Sequence, residues 1–276
     1  MKRLLCAVVI LPEELATYAE VLAGSLSRWR EVTGVHVRLY VQGTASIFAL
    51  PDQLAVRLDS VVFRSDTNLS AARNEAVSFA VSDAYDWIYF HDASVVCRDQ
   101  VVDWVAQADV CQPTTLRAQA LFGDTPWSVP GGSLVTSCPP MFPWLWTYLF
   151  RVDALKAVRF REDIGPGSGS ARIAGEDALF LHDYFIETGH WRIRPVAVTV
   201  WHPSRPMDGR KHLAYAYGQG AMFRELLRQP LAGWRHWSGF TLFLVNSLLG
   251  LVRNPFGFEL LRRRWRGFLL RSPQGL

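Results

Sequence analysis

Trp87-Ile88-Tyr89-Phe90-His91-Asp92-Ala93-Ser94 is the stretch that decides how this chain folds. Four apolar residues in succession are the pattern of a strand covered on both faces, where a half-exposed strand would alternate. The run ends at His91-Asp92, so the strand delivers a carboxylate to one edge of a sheet. Upstream, Leu4–Leu11 is another continuous apolar run, followed by Pro12-Glu13-Glu14, residues that the first turn of a helix accepts. That helix is predicted to run to about Trp29. Val35–Val41 alternates as a second strand ended by Gly43, and Ser60–Phe63 is a short third. A helix follows from about Ser70 to Ser82, and Val101–Ala108 reads as the next after the strand at Trp87–Phe90. Strands alternating with helices over the first ~110 residues predict a mostly parallel, three-layer α/β sandwich. Such sheets bind ligands beyond the carboxyl ends of their strands, which is where Asp92 falls.

The 276 residues are half hydrophobic, enough for a full core and contrary to a disordered or fibrous chain. The net charge of +4 is unevenly placed. Residues 253–276 hold six arginines against Glu259 alone, a net of +5, and the remaining chain sums to −1. A basic end without a basic body points to an anionic surface and argues against a nucleic-acid groove. Cys6, Cys97, Cys111 and Cys138 show neither a C-x-x-C pair nor zinc spacing, and read as free thiols of a reducing compartment. Met1-Lys2-Arg3 and the short apolar run after it lack a small-residue cleavage site, so a buried first strand is expected rather than a signal peptide.

Residues 112–150 are rich in proline, glycine and aromatics, including Trp127, Pro130-Gly131-Gly132 and Phe142-Pro143-Trp144-Leu145-Trp146. They read equally as a packed insertion or an acceptor-binding wall. Gly165-Pro166-Gly167-Ser168-Gly169 and Gly175-Glu176-Asp177 then lead into a helical pattern over Ala178–Phe185, and Val200-Trp201-His202-Pro203 follows. A carboxylate at a strand end, a carboxylate pair at a helix start and a later histidine are residue types that together hold a divalent cation and supply a base. Plainer readings stand beside this one. Glu176 and Asp177 suit any helix's first turn, Arg73 and Asn74 suit the bracing of a helix, and His202 before Pro203 suits a turn. Beyond His202, Lys211–Leu227 has helical period with small residues along it. Phe240–Val252 is apolar between Trp234 and Trp237 on one side and arginines on the other. It is shorter than the ~20 residues of a membrane span, so it is read as a membrane-interface segment or as a helical hairpin packed on the domain. The domain division expected is 1–204 and 205–276.

Three of these stretches together resemble the family 2 glycosyltransferases of the GT-A fold, of the bacterial surface-polysaccharide type. Asn68-Leu69-Ser70-Ala71-Ala72-Arg73-Asn74 is similar to the family's segment between its nucleotide-binding half and its metal motif. Phe90-His91-Asp92-Ala93-Ser94 stands where the family carries D-x-D, and Arg161–Asp177 with Val200–Pro203 is similar to its late glycine loop, E-D pair and histidine. The resemblance covers roughly residues 4–204 and implies an inverting, hexosyltransferase-type enzyme. Its sugar would pass from a nucleotide donor, UDP-linked by preference, to the hydroxyl of a lipid-linked or glycan acceptor. It implies Asp177 as base with Glu176 beside it, and Asp66, Arg73, Asn74 and Asp92 on the donor. Asp92, Ser94 and His202 would hold Mn2+ or Mg2+. Together with the basic, aromatic extension, it implies a cytoplasmic protein peripheral to the inner face of the cell membrane. There are two departures. Ser94 replaces the second acid, and after the second strand Val41-Gln42-Gly43-Thr44-Ala45-Ser46 lacks the family's acidic base-contacting loop. A degenerate, non-catalytic relative that binds sugar or a partner is the alternative that Ser94 raises. A nucleotidyltransferase would want a glycine-rich phosphate loop after the first strand, and Leu11-Pro12-Glu13-Glu14 is not one.

Overall fold

The computed structural model describes residues 3–44, 49–98, 104–105, 115–122, 125–126, 144–188, 194–203, 209–229, 233–253 and 255–269. The chain divides into two compact units. The described residues within 1–128, 144–159 and 184–204 form the first, and those within 160–183 and 205–276 form the second.

The first unit is built on β1 (Leu4–Ile10), whose apolar run is buried almost throughout. β1 lies between β2 (Val35–Val41) and β4 (Trp87–His91), parallel to both, and β2 pairs in parallel with β3 (Ser60–Phe63). Leu4, Cys6, Val8 and Ile10 share a core with Leu15, Leu22, Leu26 and Trp29 of α1 (Pro12–Arg30). Leu5 and Ala7 are buried on the other side of the pleat, and α3 (Leu69–Ser82) packs against β1 and β4. These are the three layers expected from a strand apolar on both faces. α1 begins at Pro12, its backbone ready for a helix and its missing N–H no loss there. α3 begins one residue earlier than predicted because Asn68 caps it, its Oδ1 accepting from Ala71 N at 3.1 Å. A one-turn helix, α2 (Asp52–Ala55), precedes β3.

The rest of the sheet departs from the parallel expectation. β7 (Tyr148–Arg151) runs antiparallel to β4, and β5 (Leu116–Phe122) runs antiparallel to β7 and to β6 (Thr125–Pro126). β8 (Arg194–His202) pairs with β5 in parallel. These strands lie in or beyond the stretch read as irregular. Leu116-Arg117-Ala118-Gln119-Ala120 does alternate, but alanine is a weak signal for the buried face. Of the helix expected over Val101–Ala108, only Trp104 and Val105 are described, both helical and buried. Trp127, the Pro130-Gly131-Gly132 stretch, Cys111 and Cys138 lie outside the described residues, while Cys6 and Cys97 are buried free thiols.

The second unit contains the glycine loop and the start of α4 (Glu176–Glu187). It also contains three further helices, α5 (Gly209–Arg228), α6 (Trp234–Arg253) and α7 (Gly257–Leu269). Ile164, Ala178, Leu179, Met222, Phe223, Leu226 and Phe240 form its core, and Phe160 stacks on Phe180 with ring centroids 3.8 Å apart. Segment 160–183 thus packs with the helices beyond 204.

Candidate active site

β1 is flanked by β2, the next strand in the chain, and by β4, to which the chain returns after β3. The strand order therefore reverses at the carboxyl ends of β1 and β4, the place where open α/β sheets open a ligand crevice. Asp92 follows β4 directly at that point. Its backbone is fixed from below. Cys97 N donates to Ser25 Oγ at 2.7 Å, the Ser25 hydroxyl meets His91 Nε2 at 2.9 Å, and His91 Nδ1 meets Asp92 O at 2.7 Å. A carbonyl only accepts, so the Nδ1–H tautomer satisfies all three contacts. Burial holds the His91 imidazole down at about 4, and the ring is neutral at pH 7. His91 therefore serves the peptide of Asp92, and both of its nitrogens are occupied.

The sequence-predicted residues Asp92, Ser94 and His202 are brought together. Val96 and Trp201 form an antiparallel bridge, with Val96 N donating to Trp201 O at 2.8 Å and Trp201 N to Val96 O at 3.2 Å. This lays the segment after β4 beside the end of β8. Ser94 Oγ donates to Asp92 Oδ1 at 2.6 Å and lies 3.1 Å from His202 Nε2, while Ser94 N also donates to Asp92 Oδ1 at 2.9 Å. Ser94 and His202 are buried and Asp92 is half-buried. His202 is the last residue of a strand and not a turn residue, and Trp146 packs on its ring at 5.6 Å.

Counting protons shows what completes this network. Pro203 O, 2.8 Å from His202 Nδ1, only accepts, so Nδ1 carries a proton. An ionised Asp92 takes the one proton of Ser94. Ser94 has one proton for two neighbouring acceptors, so both of its contacts are satisfied with a further proton on Asp92 or on His202 Nε2, or with a cation between them. Among the described residues no three His, Cys, Asp or Glu side chains cluster. The donors here are one carboxylate, one hydroxyl and one imidazole. That set suits a divalent cation that completes its shell with diphosphate oxygens and water, and not a closed protein cage.

Asp66 follows β3 at the same edge, tied to the end of β2 by Gly43 N donating to Asp66 O at 2.9 Å. Its carboxylate pairs with Arg64 at 2.8 Å and accepts from Asn68 N at 3.0 Å. Arg73 and Asn74 are half-buried in the first turns of α3. Arg64, which sequence reasoning passed over, also pairs with Glu75 and so braces Asp66 against α3. Ser25 was missed too, and Trp146 was noted only as part of its aromatic stretch; neither has a local signal for this role, because each acts on a residue far along the chain.

Glu176 and Asp177 belong to the second unit and open α4. Gly165 and Gly175 take φ of 102° and 109°, conformations that glycine adopts without strain. At Gly165 an added Cβ would lie 3.0 Å from the Glu176 side chain, and at Gly175 one would lie 2.8 Å from Met222 Cβ. The loop is closed by Gly165 N donating to Arg172 O at 2.7 Å, and Ser170 Oγ donates to Asp163 O at 2.7 Å. Glu176 is buried under this loop, whereas Asp177 is half-buried. Of the pair, Asp177 is the more exposed carboxylate.

No protein-family profile matches this sequence, and no curated protein matches it either. Similarity appears in solved structures. S. aureus TarS 1–349 superposes with a TM-score of 0.63 at 14% identity, over 97% of this chain and 81% of that one. The mannosyltransferase PcManGT from Pyrobaculum calidifontis, in complex with GDP-Man and Mn2+, gives 0.59 at 13% identity over 97% and 87%. Glucosyl-3-phosphoglycerate synthase from Mycobacterium tuberculosis, in complex with Mg2+ and UDP, gives 0.53 at 15% over 82% and 78%. Against the longer TarS structure the chain spans 40% of that protein's length. The fold is that of the GT-A nucleotide-diphospho-sugar transferases, as the sequence resemblance implied.

Proposed function

We propose that this chain is a glycosyltransferase that moves a sugar from a nucleotide-sugar donor to an acceptor hydroxyl. The observation that carries the reading is the Asp92–Ser94–His202 network, set where the strand order reverses in a GT-A fold. Asp92 and His202 would hold a divalent cation there, Mn2+ or Mg2+, whose chemistry is to neutralise the leaving diphosphate. Asp66, Arg73 and Asn74 hold the nucleotide side of the donor. Asp177 takes the acceptor proton with inversion at the anomeric carbon, and buried Glu176 positions it. A UDP-sugar is the preferred donor, supported by the UDP and UDP-GlcNAc complexes of TarS; the GDP-Man complex of PcManGT makes a GDP-sugar the competitor. The family 2, surface-polysaccharide reading adds a lipid-linked acceptor and a place peripheral to the inner face of the membrane. Among the described residues no helix is long and apolar enough to cross a membrane. The division at 1–204 and 205–276 separates catalysis from attachment in this reading.

The test is release of nucleoside diphosphate from a panel of UDP- and GDP-sugars, with Mn2+ or Mg2+ and with chelator. Release from one donor is expected, lost with chelator and reduced about 10²- to 10⁴-fold in Asp177→Asn. Release that survives chelator overturns the assignment of Asp92 and His202 to a cation. Ser94 supports a second reading, a protein that binds sugar or a partner without turnover. Under that reading Ser94→Asp tightens metal-dependent donor binding and creates turnover where the native chain has none.

A further inference from the structure

α6 has two apolar faces. One packs inward, with Phe240 and Phe243 set against Phe223 at 5.7 and 4.6 Å and Phe240 stacked on Phe268 at 4.7 Å. The other carries Trp234, Trp237, Val245, Leu248 and Val252 at spacings of three, eight, three and four, one helical stripe, and all five are exposed, Val252 to 90%. A helix facing water places charge on that stripe. The charged residues of α6 are Arg235 and Arg253, both near its ends.

At the turn into α7 the apolar surface continues. Gly257 lies so close to the end of α6 that an added Cβ would sit 2.3 Å from Gly250 O and 2.7 Å from Leu251 Cα. Exposed Phe256 and Phe258, the latter to 74%, therefore flank the exposed end of α6. Along α7, Phe258, Arg262, Trp265 and Leu269 recur at helical spacing, and they are exposed as well. No carboxylate occurs between Glu225 and Glu259, and Glu259 is held by Arg262 and Arg263 at 2.7 and 2.8 Å.

We propose that the α6–α7 hairpin is a docking surface for an anionic lipid bilayer. Val252, Phe256 and Phe258 enter the boundary between headgroups and acyl chains, and Arg262 and Arg266 meet lipid phosphates. Charge selects this occupant, since an apolar tip rimmed by arginines matches apolar chains beneath anionic headgroups. Trp234, Trp237 and Trp265 add rings of the kind that settle at headgroup level. The inference deepens the membrane-side part of the proposed function and rests on it, while the transfer chemistry stands apart.

The test is co-sedimentation of the full chain with vesicles of phosphatidylcholine alone and of equimolar phosphatidylcholine and phosphatidylglycerol. Partition onto the anionic vesicles is expected to be tenfold stronger or more (about two arginines' worth) and to weaken with salt. Val252→Ser with Phe258→Ser lowers binding to both vesicle types by about tenfold or more. Arg262→Gln with Arg266→Gln removes the anionic preference, roughly fivefold for each arginine. Thermal unfolding of both double variants should stay within a few degrees of the native chain, because all four side chains are exposed and the Arg262–Glu259 pair is a surface one. Equal binding to the two vesicle types overturns the proposal, and so does unchanged binding by Val252→Ser/Phe258→Ser. Self-association without lipid that the same variant abolishes would assign the surface to a second copy. Donor hydrolysis on the same samples without vesicles separates the failures: hydrolysis without docking leaves the transferase standing, and docking without hydrolysis does the reverse.

Discussion

Ser94 donates its hydroxyl proton to Asp92 and lies 3.1 Å from His202 Nε2, so a residue that looks like the loss of an acid stands between two candidate ligands. A second carboxylate at this buried position would add a negative charge that needs a cation beside it; a hydroxyl adds no charge. His91 below it has a consequence for stability. Burial holds its imidazole at about 4 against the ordinary 6.5, so the unfolded chain takes up this proton first as pH falls. The stability gained by keeping the ring neutral is complete above pH 6.5 and drains away between pH 6.5 and about 4. Roughly 3 kcal/mol is at stake. Urea unfolding at pH 7 and pH 5 should show a shallower acid loss in His91→Asn than in the native chain. An identical loss in both would remove His91 as its cause.

At the scale of elements, α5 and α7 meet backbone to backbone. A Cβ on Gly220 would lie 1.9 Å from Arg264 O, and one on Gly267 would lie 2.0 Å from Tyr217 O. This explains the small residues along Lys211–Leu227, whose helical period was legible while their partner was not. Arg264 belongs to this contact, reaching Gln219 at 3.1 Å and Ser247 at 2.8 Å. The basic end is thus partly internal structure. Gly267→Ala should force the helices apart and cost about 1 to 3 kcal/mol or more. Gly250→Ala, where an added Cβ meets nothing within 4 Å, should leave the melting temperature unchanged or raised. Equal losses in the two variants would show that helix propensity, and not close packing, governs both.

For the molecule as a whole, the carboxyl edge of β1 and β4 is the expected donor site, and a donor that binds only the folded chain must stabilise it. Nucleoside diphosphate at about 100 times its Kd should add about 2.7 kcal/mol and raise the melting temperature by several degrees. UDP and GDP compared in this way, with Mn2+ present, should separate, and His202→Ala should abolish the shift. The absence of any shift with either nucleotide would remove the nucleotide site.

The amino-acid order by itself determined the helices and strands through Phe90 apart from the one-turn α2, the strand end at Asp92 and the helix start at Glu176. Each of these is announced by period, proline or glycine within a few residues. The antiparallel strands β5 and β7 were not legible, because alanines and aromatics carry little period and their partners are remote. The resemblance set Ser94 and His202 on one cation; only the tertiary structure decided that their side chains meet directly across 108 positions, and that Trp146 packs on that ring. It also decided that Arg264 turns inward and that the outer stripe of α6 has no charge to offer water. Local period reports which face of an element is buried. It says nothing of which element buries it, and that depends on sheet register and on backbones close enough to touch.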